Sequence, residues 1–128
     1  MIYLLSSLPP SVNALYYSKG KHRYKTPEYN LWLMRTMREL KRAPAVNFKK
    51  VSCTFNIPYW SHKTAGDVIN YEKALVDVLV KSRLIPDDKH CVEGRTRWVV
   101  STKSGAIEAD VQDMTAYFHE MEDYEKMQ

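Results

Sequence analysis

The stretch from Gly66 to Cys91, Gly-Asp-Val-Ile-Asn-Tyr-Glu-Lys-Ala-Leu-Val-Asp-Val-Leu-Val-Lys-Ser-Arg-Leu-Ile-Pro-Asp-Asp-Lys-His-Cys, constrains the chain most. From about Asn70 to Ser82 apolar residues recur at helical spacing, and Pro86 ends the pattern, so a helix with a buried face is predicted. At about 100° per residue, Asn70, Lys73, Asp77 and Lys81 fall within one narrow arc, while Val68, Leu75, Val76, Leu79 and Val80 populate the rest. Asp67 stands just ahead of this helix. Asp87 and Asp88 follow Pro86, in a loop where the chain can fold back. Carboxylates, one amide and a lysine therefore bracket a single rigid element.

Two readings fit that pattern. Hard oxygen ligands hold Mg²⁺, and a lysine can neutralise charge building on a phosphate, so the set suits divalent-metal phosphodiester chemistry. Equally, Asp67 and Asn70 can serve as helix caps, with Lys73 and Asp77 a solvated i,i+4 pair.

The 128 residues suit one domain. Charge is segregated along it. Residues 1–66 hold 11 Lys and Arg against 2 acids, whereas residues 67–128 hold 8 against 13, which gives +9 and −5. A basic first half suits a polyanionic partner; the competing explanation is that the two halves pair within one fold. No apolar run approaches the roughly 20 residues of a membrane span, and Met1 to Leu5 lacks a basic leader, so a cytoplasmic protein without a membrane partner is expected. Cys53 and Cys91 have neither zinc-site spacing nor disulfide-scaffold density and are expected to be reduced thiols. There is no repeat and no glycine-rich phosphate loop, which argues against nucleotide-triphosphate chemistry.

Met1 to Leu8 reads as a strand stopped by Pro9-Pro10. Ser18 to Lys25 alternates cations with aromatics around Gly20: Lys19, Lys21, His22, Arg23 and Lys25 can meet phosphates, while Tyr16, Tyr17 or Tyr24 can pack on bases or sugars. An ordinary solvated hairpin is the alternative. Thr26 as N-cap and Pro27 in the first turn open a helix running to about Arg42, with Tyr29, Trp32, Leu33, Met37 and Leu40 on one face. Asn47 to Ile57 alternates as a half-buried strand, with Val51, Cys53, Phe55 and Ile57 on one side. Cys91 to Ser101 is expected to form a strand that turns at Lys103-Ser104-Gly105 into a second strand, Ala106 to Val111, making a hairpin. Arg95 and Arg97 point outward, toward solvent or DNA. Gln112 to Gln128 reads as an acidic amphipathic helix or tail following a domain of residues 1–111. The whole implies an α+β domain with a mixed β-sheet and packed helices.

Gly66-Asp67-Val68-Ile69-Asn70-Tyr71-Glu72-Lys73, then Leu75-Val76-Asp77, then Leu84-Ile85-Pro86-Asp87-Asp88, resembles the RusA family of Holliday junction resolvases. These are small dimeric Mg²⁺-dependent endodeoxyribonucleases, many carried by phages and prophages. The resemblance spans about residues 4–111. The family pattern is D-x-D-N-x-x-K, a helix, and an acidic pair. It implies that Asp67, Asp77, Asp87 and Asp88 gather Mg²⁺, with Mn²⁺ as a substitute, that Asp67, Lys73 and Asp88 are catalytic, and that Asn70 supports them. Pro9-Pro10-Ser11-Val12-Asn13 resembles the family's N-terminal segment, which adds Asn13 to the DNA-binding candidates. The loop ahead of Asp67 adds His62 and Lys63. The implied partners are a four-way DNA junction and a second copy of the chain, in a bacterial or phage-infected cell. Ile69 stands where the family places its second metal-binding aspartate, and Glu72 falls among the apolar positions. Two functions follow as expectations: a junction-resolving nuclease acting by paired nicks, or a branched-DNA-binding dimer with weakened or absent cleavage.

Overall fold

The computed structural model describes residues 1–60, 62 and 66–128. The central strand is β4 (Val51–Pro58), whose alternation buries Val51, Cys53, Phe55 and Ile57 completely. On one side it pairs antiparallel with β6 (Ile107–Asp113), which in turn pairs antiparallel with β1 (Ile2–Leu5). On its other side β4 pairs in parallel with β5 (Cys91–Val99), which completes a four-stranded mixed sheet in the order β1-β6-β4-β5. A parallel pair needs a crossover connection, and here α2 (Glu72–Lys81) supplies it. The result is a small α+β domain.

This topology corrects the expected terminal hairpin. Cys91–Val99 and Ile107–Asp113 are both strands, but they flank β4 on opposite sides and do not pair with each other. The crossover through α2 brings β5 to one edge of β4, so the following segment must carry the chain past β4 to its other edge. That segment turns on Gly105 at φ 75°, with the Thr102 hydroxyl donating to the Ala106 carbonyl at 2.6 Å.

A separate two-stranded hairpin joins β2 (Tyr16–Lys19) to β3 (His22–Lys25). It turns at Gly20, φ 65°. Helix α1 (Pro27–Glu39) begins as expected: the Thr26 hydroxyl accepts from the Tyr29 amide at 3.3 Å and donates to the Ala14 carbonyl at 2.8 Å, with Pro27 in the first turn. Tyr29, Trp32 and Leu33 of α1 join Ala74, Leu75, Val78 and Leu79 of α2 and the inner sheet face in one core.

After β6, α3 (Thr115–Lys126) contributes no buried residue. Its start is held electrostatically. The Asp113 carboxylate accepts from the Thr115 amide at 2.9 Å, and the Thr115 side chain, then its backbone, hold the Asp113 carboxyl below the ordinary aspartate value. A carboxyl lowered on folding contributes stability that is present above its unfolded value and lost as pH falls through the folded one. The Thr115 amide is therefore expected to lose hydrogen-exchange protection on acidification through that range, and Asp113→Asn is expected to remove this pH dependence. Among the described residues no helix is long and apolar enough to cross a membrane.

Candidate metal and phosphate site

The acidic residues are brought together by how α2 ends. Arg83 adopts the left-handed conformation, φ 59°, while the Arg83 amide donates to the Val80 carbonyl at 2.9 Å and the Leu84 amide to the Leu79 carbonyl at 3.0 Å. The chain reverses there. Leu84 and Ile85 are then buried, and the Leu84 carbonyl accepts from the Val46 amide at 2.9 Å. Anchored by that pair, Pro86 sends Asp87 and Asp88 back toward the polar arc of α2.

There they line a cleft of about 280 Å³ together with Asp77 and Lys73 from α2. Lys81 and Val80, one turn further along α2, line the same cleft, and Tyr16 and Lys25, paired across the β2–β3 hairpin, close it from the other side. Three carboxylates and three lysines thus share one opening. Lys73 Nζ lies 4.0 Å from Asp77 Oδ2.

The carboxylates are not equivalent. Asp87 and Asp88 share a hydrogen bond that lowers the Asp87 carboxyl and raises that of Asp88; the Asp87 charge raises Asp88 further, and the Asp77 charge adds a smaller push. Two adjacent carboxylates that compete for one proton also gain from a shared cation. Because Asp88 protonates at higher pH than an ordinary aspartate, acidification discharges this member of the pair first.

Asp77 is positioned from below. The Tyr29 hydroxyl, on a side chain with no solvent exposure, donates to Asp77 Oδ2 at 3.1 Å, and the ring packs edge-on to Tyr16 with centroids 5.8 Å apart. Burial, followed by the Asp77 charge and hydrogen bond, pushes the Tyr29 phenol well above its usual value, so it remains a donor. Tyr29 was legible in the sequence only as a core residue. The available signal was that a buried tyrosine must satisfy its hydroxyl. Tyr29→Phe is expected to lower stability by about 1–2 kcal/mol, read from the shift of a urea unfolding midpoint.

Other sequence candidates fall outside the cleft lining. Asp67 is exposed at the N-cap position of a 3-10 turn, Val68–Tyr71, but its side chain makes no capping hydrogen bond and does not line the cleft. Asn70 lies in that turn, with its amide donating to the Asp67 carbonyl at 3.1 Å. The turn Val12–Ala14, which carries exposed Asn13, lies beside it. Ile69 is 71% exposed. Glu72 turns toward β5 and is not a cleft residue.

The hairpin candidates Tyr17, Lys19, Lys21, His22 and Arg23 are all exposed. They connect to the cleft through Tyr16, whose ring carries the Arg23 guanidinium at 4.1 Å. Tyr17 and Tyr24 form an exposed aromatic pair, centroids 5.6 Å apart. His62 sits beyond β4, its amide donating to the Tyr59 carbonyl at 3.0 Å, and burial lowers its imidazole below the usual value. Lys63 lies outside the described residues.

Among the described residues no three His, Cys, Asp or Glu side chains form a ready-made metal cage. Mg²⁺ does not ask for one. It keeps several waters and takes one or two protein carboxylates beside substrate phosphate, which the Asp87–Asp88 pair with Asp77 can supply. A broader apolar depression, about 590 Å³, runs along α3 beside Tyr117, Met121 and Tyr124; its described lining includes Glu120, Glu122 and Glu125 but no lysine or arginine. No protein-family model matches the chain, and no curated protein matches it.

Proposed function

We propose that the protein is a Mg²⁺-dependent, structure-selective endodeoxyribonuclease that works as a homodimer on four-way DNA junctions, in the manner of the RusA resolvases it resembles. The observation that carries this reading is the meeting of Asp77, Asp87 and Asp88 with Lys73 in one cleft, bordered by a hairpin of exposed cations and tyrosines. Bound Mg²⁺ would supply an acidified water and charge neutralisation at the scissile phosphate.

The chain's own residues have separable tasks. Asp87 and Asp88 would hold the cation, with Asp77, fixed by Tyr29, lining the same cleft beside them. Lys73 offsets charge accumulating on the phosphate, and Lys25 and Lys81 draw the backbone into the cleft. Lys19, Lys21 and Arg23 add phosphate contacts whose affinity falls steeply with salt, and Tyr17 and Tyr24 offer faces for unstacked bases at the branch. A junction has near two-fold symmetry, so two copies present two sites for paired nicks.

A second reading is favoured by the placement of Asp67 outside the cleft lining and of an exposed isoleucine at position 69. Here the chain binds branched DNA but cuts it poorly. The two separate in one experiment, a labelled synthetic junction incubated with and without Mg²⁺. Symmetric nicks that require the metal support the nuclease; tight, salt-sensitive binding without nicks supports the binding module; no preference for junction over duplex removes both. Because Ile69 is exposed, Ile69→Asp is expected to change stability by less than about 0.5 kcal/mol, so any gain in cleavage by that variant reports on ligand supply and not on folding.

A further inference from the structure

The parallel neighbours β4 and β5 each carry one of the two cysteines, and neither cysteine belongs to the acidic cleft. Cys91 pairs with Val51, and a slip in register follows at once, so that Ser52 pairs with Glu93 and Cys53 with Gly94. The two cysteines therefore stand on adjacent paired strands, two β4 positions apart in register, and each acts on the other's acidity. Cys53 is fully buried, whereas Cys91 is partly open to solvent and also reaches the Glu93 carbonyl at 3.4 Å.

A third group completes the cluster. Glu72, at the head of α2, has a buried Oε1 with no hydrogen-bond partner among the described residues, and its charge acts on both thiols. Its carboxyl occupies the space that a Cβ at position 94 would fill, so glycine on β5 is what leaves room for it.

We propose that Cys91 and Cys53 form a peroxide-responsive dithiol, in which Cys91 is the attacking thiol and Cys53 the resolving one. Accessibility divides the roles, and acidity agrees. The hydrogen bond from Cys53, opposed by partial burial, lowers the Cys91 thiol to about 7, while the same contact and burial push Cys53 up. The Cys91 thiolate attacks one oxygen of hydrogen peroxide; an S–O bond forms, the O–O bond breaks, and the departing hydroxide takes a solvent proton. The Cys53 sulfur then attacks the Cys91 sulfenic sulfur. An S–S bond forms, the S–O bond breaks, and the proton leaving Cys53 passes by way of Glu72 to the departing hydroxide. Two thiols are oxidised to one disulfide and one peroxide is reduced to two waters. The bond ties the start of β5, where the turn Asp88–His90 ends, to the central strand.

The unaltered reduced chain, exposed to hydrogen peroxide, is expected to lose two hydrogens by intact mass, to yield a peptide linking Cys53 to Cys91, and to recover its mass with a thiol reductant. Addition of oxygen without that linked peptide, or linkage only between separate molecules, would overturn the proposal. Cys53→Ser is expected to stop at a Cys91 sulfenic acid that a 1,3-diketone traps, and Cys91→Ser to leave Cys53 unmodified at the same exposure. Oxidation of Cys53 in Cys91→Ser at the wild-type rate would equally overturn the assignment of roles. The mass measurement on the unaltered chain stands whether or not either variant folds.

Discussion

Replacing Asp88 with Asn is expected to lower Mg²⁺-dependent junction cleavage by about a hundredfold or more, with junction affinity in the absence of metal unchanged or slightly raised. The substitution keeps size and shape at an exposed position, so the fold should be indifferent to it. What it removes is one of two adjacent carboxylates whose mutual repulsion a cation relieves. Asp110→Asn serves as the control. Asp110 lies on β6 between buried Ala109 and Val111, hence on the opposite sheet face, and hydrogen-bonds to Gln112. It should cut as the wild type does. Cleavage undiminished in Asp88→Asn would take Asp88 out of the mechanism, and equal losses in both variants would point to a general effect of removing negative charge.

The largest effect on stability is expected from Phe55→Ala, at about 3–5 kcal/mol. Phe55 is completely buried at the middle of β4, opposite Ala109 on one neighbour and Thr96 on the other. Deleting its ring leaves a cavity beneath the strand that both sheet halves share. Against a total stability of about 5–15 kcal/mol for a domain of this kind, such a loss brings the protein close to unfolding at room temperature. A urea titration should show the midpoint falling sharply with the slope retained. A loss below about 1 kcal/mol would mean that β4 is not the centre of the core. The cleft should fail with it, since α2 reaches its place only as the crossover between β4 and β5.

Much of this architecture could be read from residues near one another in the chain. Thr26-Pro27 announced α1, the alternation of Val51, Cys53, Phe55 and Ile57 announced β4, and the arc of Lys73, Asp77 and Lys81 lines the cleft as one face of α2. The acidic pair after Pro86 also arrives where folding back was expected, because Arg83 reverses the chain and Leu84 and Ile85 seek the core. The strand partners were misjudged. A turn signal at Lys103-Ser104-Gly105 invites a hairpin, yet it is silent about the β4 edge to which the α2 crossover has already delivered β5.

By itself, then, the amino-acid order determined the helices, the strands, the segregation of charge and the identity of the acids that follow α2, because caps, periodicity and chain reversal act within a few residues. Only the tertiary structure decided that Tyr29 holds Asp77, that Asp67 stands apart from the cleft lining, and that Cys53 and Cys91 share neighbouring strands with Glu72 turned toward Gly94. Those are contacts between residues tens of positions apart. They depend on sheet order, on a slip in register and on the requirement that buried polar groups find partners, and no local pattern encodes any of the three.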